Sequence, residues 1–171
     1  ESQGEAVPQD PRAQLLAAVN AVFDSWNSRR ARRYRQHHGI ADSLGTAVTV
    51  QAMVFGNLDE RSGTGVLFSR NPLTGDVAPY GEYLHRAQGE DVVSGKFTPE
   101  PLSALAASAP DVHAQLMQAA ATLENENGDV QDIEFTVQHG ELYLLQTRSA
   151  KRAPQAAVRF AVDMVDEGRI D

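Results

Sequence analysis

The stretch Val130-Gln-Asp-Ile-Glu-Phe-Thr-Val-Gln-His-Gly-Glu-Leu-Tyr-Leu-Leu-Gln-Thr-Arg148 decides how this chain folds. Ile133, Phe135 and Val137 alternate with Asp132, Glu134 and Thr136, so it opens as a strand with one apolar face and one face carrying two carboxylates. Residues 141–148 return as a second strand, and the turn decides what faces what. A two-residue turn at His139-Gly140 puts Tyr143 and Leu145 on the carboxylate face. A three-residue loop, Gln138-His139-Gly140 with Gly140 left-handed at a bulge, moves them to the core face. Gln146 and Arg148 then join Asp132 and Glu134. This second register separates apolar from polar better and is the expected one. Two acids, an amide and an arginine on one patch suit a metal-bound polyphosphate, because carboxylates hold Mg2+ and arginine neutralises phosphoryl oxygens. Acids and arginine also meet as ordinary ion pairs on exposed sheet faces. Spacing alone leaves both readings open.

The rest of the chain sets the frame. Its 171 residues suffice for one domain or two small lobes. With 42% hydrophobic and 22% charged residues, the composition is that of a soluble globular protein. A net charge of −8 argues against non-specific nucleic-acid binding. No apolar run reaches the ~18 residues of a membrane span. The lack of cysteine excludes disulfides and thiolate metal sites and fits a cytoplasmic location. The start is polar, without Met or a signal peptide, so the expectation is an excised domain.

Residues 1–9 read as a disordered start. Asp10-Pro11 opens a helix, with the acid as N-cap. Its stripe of Leu15, Leu16, Val19, Val22, Phe23 and Trp26 is wide enough to need a covering lobe. Ser28 caps a second helix, with arginines at 29, 30, 32, 33 and 35, and Gly39 ends it. Residues 46–54 and 66–69 read as strands. Short strands are expected at 80–84 and 91–93, and an extended loop at 98–101. Pro110-Asp111 starts a helix that Asn127-Gly128 closes. Beyond the hairpin, 151–154 is a linker and 156–167 an amphipathic helix. Helices first, then a mainly antiparallel sheet with a helix laid in, is an α+β arrangement.

Other candidate sites have plainer readings beside them. Ser62-Gly-Thr-Gly65 lets a backbone approach a ligand, but fits a tight turn or bulge better. The arginine run fits a solvated helix face better than a phosphate site. Of five histidines, His37 and His38 are adjacent and point to different helix faces, while His85, His113 and His139 stand alone. Glu90 suits ribose hydroxyls or a polar strand end. Gln51 and Met53 suit an adenine slot or simple packing.

Six motifs bring these fragments together. Val50-Gln-Ala-Met-Val-Phe-Gly-Asn57, Ser62-Gly-Thr-Gly-Val66, Tyr80-Gly-Glu-Tyr83, Ala87-Gln-Gly-Glu-Asp-Val-Val93, Asp132-Ile-Glu-Phe-Thr136 and Leu145-Gln-Thr-Arg148 closely resemble, in this order, the pyruvate phosphate dikinase family. The similarity runs from Gln9-Asp-Pro-Arg12 to Asp163-Met-Val-Asp-Glu-Gly168. Phosphoenolpyruvate synthase and rifampicin phosphotransferase resemble the chain more distantly.

The resemblance implies the C-terminal lobe of an ATP-grasp nucleotide-binding domain, of α+β class. In that family ATP passes its β-phosphoryl group to a histidine on a swivelling domain, and a third domain moves it to pyruvate, making phosphoenolpyruvate. Carried over by motif, Asp132 and Glu134 hold Mg2+, Gln146 and Arg148 contact the terminal phosphates and serve catalysis, Glu90 binds the ribose, and Gln51, Met53 and Val54 line the adenine. The implied organisation is 1–9 disordered, 10–45 helical and packed on an absent N-terminal lobe, 46–151 the ATP-grasp lobe, and 152–171 a linker and helix toward the phosphohistidine domain. The glycine-rich phosphate loop, an ATP-holding lysine and the Thr-Ser-His phosphohistidine motif are absent from this sequence. The chain alone is therefore expected to be inactive, with partners in the missing lobe, the phosphohistidine domain and the pyruvate-binding domain, and a homodimer as a further option. The alternatives are the same lobe of a phosphoenolpyruvate synthase or antibiotic phosphotransferase, or a non-catalytic binding domain that keeps the fold.

Overall fold

The computed structural model describes residues 7–94 and 97–170, which form two compact units divided between Ala52 and Met53. In the first unit Asp10 caps α1 (Pro11–Ser25) by accepting from the Ala13 amide at 2.8 Å. Ser28 caps α2 (Arg29–His38) through the Ala31 amide, and Gly39 ends it left-handed. Both helices thus start and stop at the residues whose side chains or conformational range satisfy orphan backbone groups. No residue of α1 is buried, and Leu15, Leu16, Val22 and Phe23 stay exposed. Arg35 is the exception in the arginine run. It is buried, stacks 3.9 Å over the Trp26 ring and pairs with Asp42 at 2.7 Å. It therefore serves packing, while the other four arginines face solvent or its margin. Of the expected disordered start, residues 1–6 lie outside the described residues.

Residues 46–54 do not form the expected strand. Alternation makes a strand only where a neighbouring edge offers ladder hydrogen bonds.

The second unit is built on an antiparallel sheet. Among the described residues it has five strands in the order β3-β2-β1-β4-β5. They are β1 (Gly63–Phe68), β2 (Tyr80–His85), β3 (Glu100–Pro101), β4 (Gln131–Gln138) and β5 (Glu141–Ser149). The expected strand at 91–93 is instead part of α3 (Gly89–Val93). Gln88 and Asp91 form a reciprocal capping box there, with the Gln88 amide donating to Asp91 at 2.8 Å. The loop expected at 98–101 ends in β3, which pairs with β2.

Two helices that follow, α4 (Leu102–Ser108) and α5 (Pro110–Asn127), cover one face of the sheet. α4 has only seven residues, too few to show a helical period in the sequence. Leu102, Leu105, Val112, Leu116 and Ala120 pack there on Leu67, Tyr83, Ile133, Phe135 and Val137. A second cluster joins Val130 and Ala150 to Ala156, Phe160 and Met164 of α6 (Pro154–Asp166), with Phe68 against it.

One glycine makes room for this core. A Cβ on Gly63 would fall on the Tyr83 phenol. That ring is buried and stacked 6.3 Å from Phe135, so relieving the clash disturbs this packing. Gly63→Ala is expected to lower stability by about 1–3 kcal/mol in urea unfolding, the usual range for overpacking.

Candidate functional site

The hairpin reaches the expected patch by an unexpected route. Gln138 pairs with Glu141, leaving His139 and Gly140 as a two-residue turn with φ of +54° and +82°. This is the primed geometry that matches strand twist, and Gly140 takes its positive φ without strain. It replaces the expected three-residue loop. Near the turn Tyr143 therefore pairs with Thr136 on the polar face, and Leu142 packs against the core instead. The pairing then shifts by one between Glu134 and Phe135, which leaves Leu145 unpaired as a bulge, about half exposed. Neither Tyr143 nor Leu145 joins the core as expected. Beyond the bulge Glu134 pairs with Gln146 and Asp132 with Arg148. The four residues singled out in the sequence thus share one face.

That face is ordered in cross-strand rows. Tyr80, Phe68, Asp132 and Arg148 form one row, and Glu82, Val66, Glu134 and Gln146 the next. Leu84, Thr64, Thr136 and Tyr143 form the third. Arg148 donates from Nε to Asp132 Oδ2 at 2.8 Å, and its Nη2 lies 3.9 Å from Glu134 Oε1. Asp132 is nearly buried (8% exposed side chain), whereas Arg148 and Glu134 are open at 52% and 42%. The Asp132 hydrogen bond, with its charge and that of Glu134, raises the Arg148 pKa, so the guanidinium stays charged. Glu82 adds a third carboxylate to the face, across Val66 from Glu134. The alternation in Tyr80-Gly-Glu-Tyr-Leu-His85 was the signal for it.

The other expected residues lie elsewhere. Glu90 is exposed in the first turn of α3, beyond the His85 end of β2. Gln51 belongs to the first unit, and Met53 and Val54 to the second. No group of three or more His, Cys, Asp or Glu is placed to hold a metal among the described residues. A cation on Asp132 and Glu134 would draw its remaining ligands from phosphate oxygens and water, which is how Mg2+ is usually held.

The hairpin tip is anchored to the loop before β1. Asp59 accepts from the Ser62 hydroxyl at 2.6 Å and from the Arg61 amide at 3.0 Å, and His139 Nδ1 lies 2.6 Å away. Hydrogen bonds from Ser62 and then His139 hold the Asp59 carboxyl down to about 2. A folded pKa below the unfolded one stabilises above the unfolded value and fades as pH falls toward the folded one. The anchor is expected to weaken between about pH 4 and pH 2. Amide protection at residues 138–140, relative to the intrinsic exchange rate, should fall across that window, and Asp59→Asn should remove the acid limb.

A family model described as the pyruvate phosphate dikinase, AMP/ATP-binding domain, matches residues 8–112 and 110–169. The chain is 53% identical over 171 residues to the chloroplastic pyruvate, phosphate dikinase of Flaveria trinervia, covering 100% of this chain and 18% of that protein. It is 54% identical over 167 residues to the pyruvate, phosphate dikinase of Clostridium symbiosum, covering 98% of this chain and 19% of that one. Against pyruvate, phosphate dikinase 2 of Zea mays the identity is 52% over 171 residues, 100% of this chain and 19% of the relative. The chain thus spans about a fifth of the length of the relatives it matches. Among the described residues no helix is long and apolar enough to cross a membrane.

Proposed function

We propose, since this chain belongs to the pyruvate phosphate dikinase AMP/ATP-binding domain family, that its carboxylate-bearing sheet face holds the phosphates of ATP. The observation that carries this reading is the bulge at Leu145, which brings Gln146 and Arg148 onto the face of Asp132 and Glu134. A bulge that re-aims side chains is commonly kept for a purpose. Here it sets an open cation beside two carboxylates.

In this reading residues 46–151, most of them in the second unit, are the C-terminal lobe of an ATP-grasp domain. Asp132 and Glu134 would hold Mg2+, whose chemistry there is to neutralise and orient the phosphates. Arg148 draws charge from the phosphoryl oxygens, and Gln146 donates a neutral hydrogen bond that fixes their orientation. Phosphoryl transfer is mainly positioning and charge neutralisation, so these roles suffice for this half of the site. Glu90 takes the ribose, and the three rows give the order along the sheet. Asp132 and Arg148 lie toward the Tyr80 end of β2, and α3 follows the other end. Met53 and Val54, of the same unit, line the adenine.

The whole protein, in this reading, transfers the phosphoryl group to a histidine on another domain on the way to phosphoenolpyruvate. Residues 10–45 pack on an N-terminal lobe, consistent with the unburied stripe of α1. Residues 152–171 lead toward the phosphohistidine domain, and this chain alone does not turn over. A ¹⁵N-HSQC titration with Mg-ATP tests the site. Saturable shifts are expected at residues 132–134 and 146–148, with smaller ones at 50–54. Shifts reproduced by Mg2+ alone, or confined to the α4–α5 side of the sheet, would sink the nucleotide assignment.

A further inference from the structure

The opposite face of the sheet carries a pocket of about 290 Å³, where β2, the loop before β1, the hairpin tip and the start of α5 meet. Tyr83 and His85 line it from the core face of β2. Tyr83 is 4% exposed, and its hydroxyl has no hydrogen-bond partner among the described residues. The hydroxyl is not sealed in, since Asp163 Oδ2 is the one fully covered polar side-chain atom without a partner among the described residues, so it is open to a ligand. Burial and then the charge of Glu100 push its ionisation up, so it keeps its proton to donate.

Two further kinds of donor border the same space. α5 starts at Ala109 without a side-chain cap. The amides of Asp111 and Val112 have no acceptor among the described residues, and these residues line the pocket. Arg61, also a lining residue, forms no ion pair among the described residues. Its backbone is held at both ends, its amide donating to Asp59 at 3.0 Å and its carbonyl accepting from Gly140 at 2.9 Å. The acids nearby limit what fits. Glu60 is engaged by Arg86 at 2.6 Å and faces His85 at 3.6 Å. Asp111 and Glu100 are exposed carboxylates. They disfavour a dianion, while Ala109, Pro110 and Val112 give the pocket an apolar wall.

We infer that this pocket binds a small monoanionic carboxylate with an apolar body, its carboxylate on Arg61, the Tyr83 hydroxyl and the free amides of α5. Such a group satisfies an uncapped helix start and an unpaired phenol together.

Para-fluorobenzoate, followed by fluorine NMR of the ligand with the intact protein, is the probe. Saturable line broadening is expected. Arg61→Gln should weaken binding about tenfold, as loss of a charge-assisted bond does. Tyr83→Phe, which keeps the ring, should weaken it about fivefold. Arg148→Ala on the other face should change nothing, and inorganic phosphate should not compete. No saturable binding, insensitivity to both pocket variants, loss of binding in Arg148→Ala, or competition by phosphate would each overturn the inference.

Discussion

Replacing Arg148 by alanine in the intact protein is expected to slow phosphoryl transfer from ATP by about two to three orders of magnitude, the usual loss when one charge-stabilising donor is removed. The fold should survive, because Arg148 is half exposed and lies on an edge strand. A smaller stability loss should accompany it. Asp132 is almost covered, and Arg148 is its one hydrogen-bond partner among the described residues. Leaving a covered acceptor without a partner costs about 1–3 kcal/mol. The double variant Asp132→Asn/Arg148→Ala separates the two effects. It should regain most of the lost stability in urea unfolding and none of the transfer rate. Near-normal turnover in Arg148→Ala would remove the guanidinium from the proposed site. A double variant that regains turnover as well would mean that the pair acts through the fold.

The largest expected loss of stability comes from a residue that the proposed chemistry does not use. Arg70 is 2% exposed and lies two residues beyond the end of β1. It makes two hydrogen bonds to Glu124 of α5, at 3.0 and 2.8 Å, and two to Glu167 beyond α6, at 2.9 and 2.6 Å. Arg169 joins Glu124 at 2.9 Å and Glu167 at 2.8 Å. One guanidinium thus ties the end of a central strand to two helices. These contacts raise the Arg70 pKa, led by the bond to Glu167, and the same bond lowers the Glu167 carboxyl. Arg70→Met fills the volume but leaves Glu124, 6% exposed, short of its main cation. Breaking a buried pair from one side costs about 3–5 kcal/mol. Arg169→Ala, in a more exposed position, should cost about 1 kcal/mol or less. Equal losses from the two variants would show that Arg70 is not the centre of the cluster.

Arg148 and Arg70 matter for opposite reasons. Arg148 gains its importance from exposure beside two carboxylates. Arg70 gains it from having no water left to replace its partners. The sequence marked the first as a candidate, because a lone arginine next to an Asp-x-Glu strand stands out. It gave no sign of the second, since Ser69-Arg70-Asn71 reads as the polar end of a strand.

Local signals decided what they could reach. Asp10, Ser28, Gly39 and Gly128 marked helix ends that the structure keeps, because a cap is satisfied within a few residues. The alternation of residues 132–137 placed Ile133, Phe135 and Val137 in the core, and the six motifs identified the family. Sequence alone thus determined the hairpin, the two faces of its first strand and the family.

Partners distant in the chain decided the rest. Whether 46–54 became a strand depended on a free edge to pair with. The exception is 91–93, where a local reciprocal cap between Gln88 and Asp91 coils the chain into α3. The hairpin shows the division most clearly. Both turn lengths were compatible with its pattern, and the patch was expected from the longer loop. The structure takes the shorter turn, anchors it through Asp59 and Ser62, and restores the polar register with a bulge at Leu145. A period-two pattern specifies faces but not where one residue is spent to shift them. That choice belongs to the tertiary structure, because only there do the tip's anchors and the core beneath β4 act on the same strand at once.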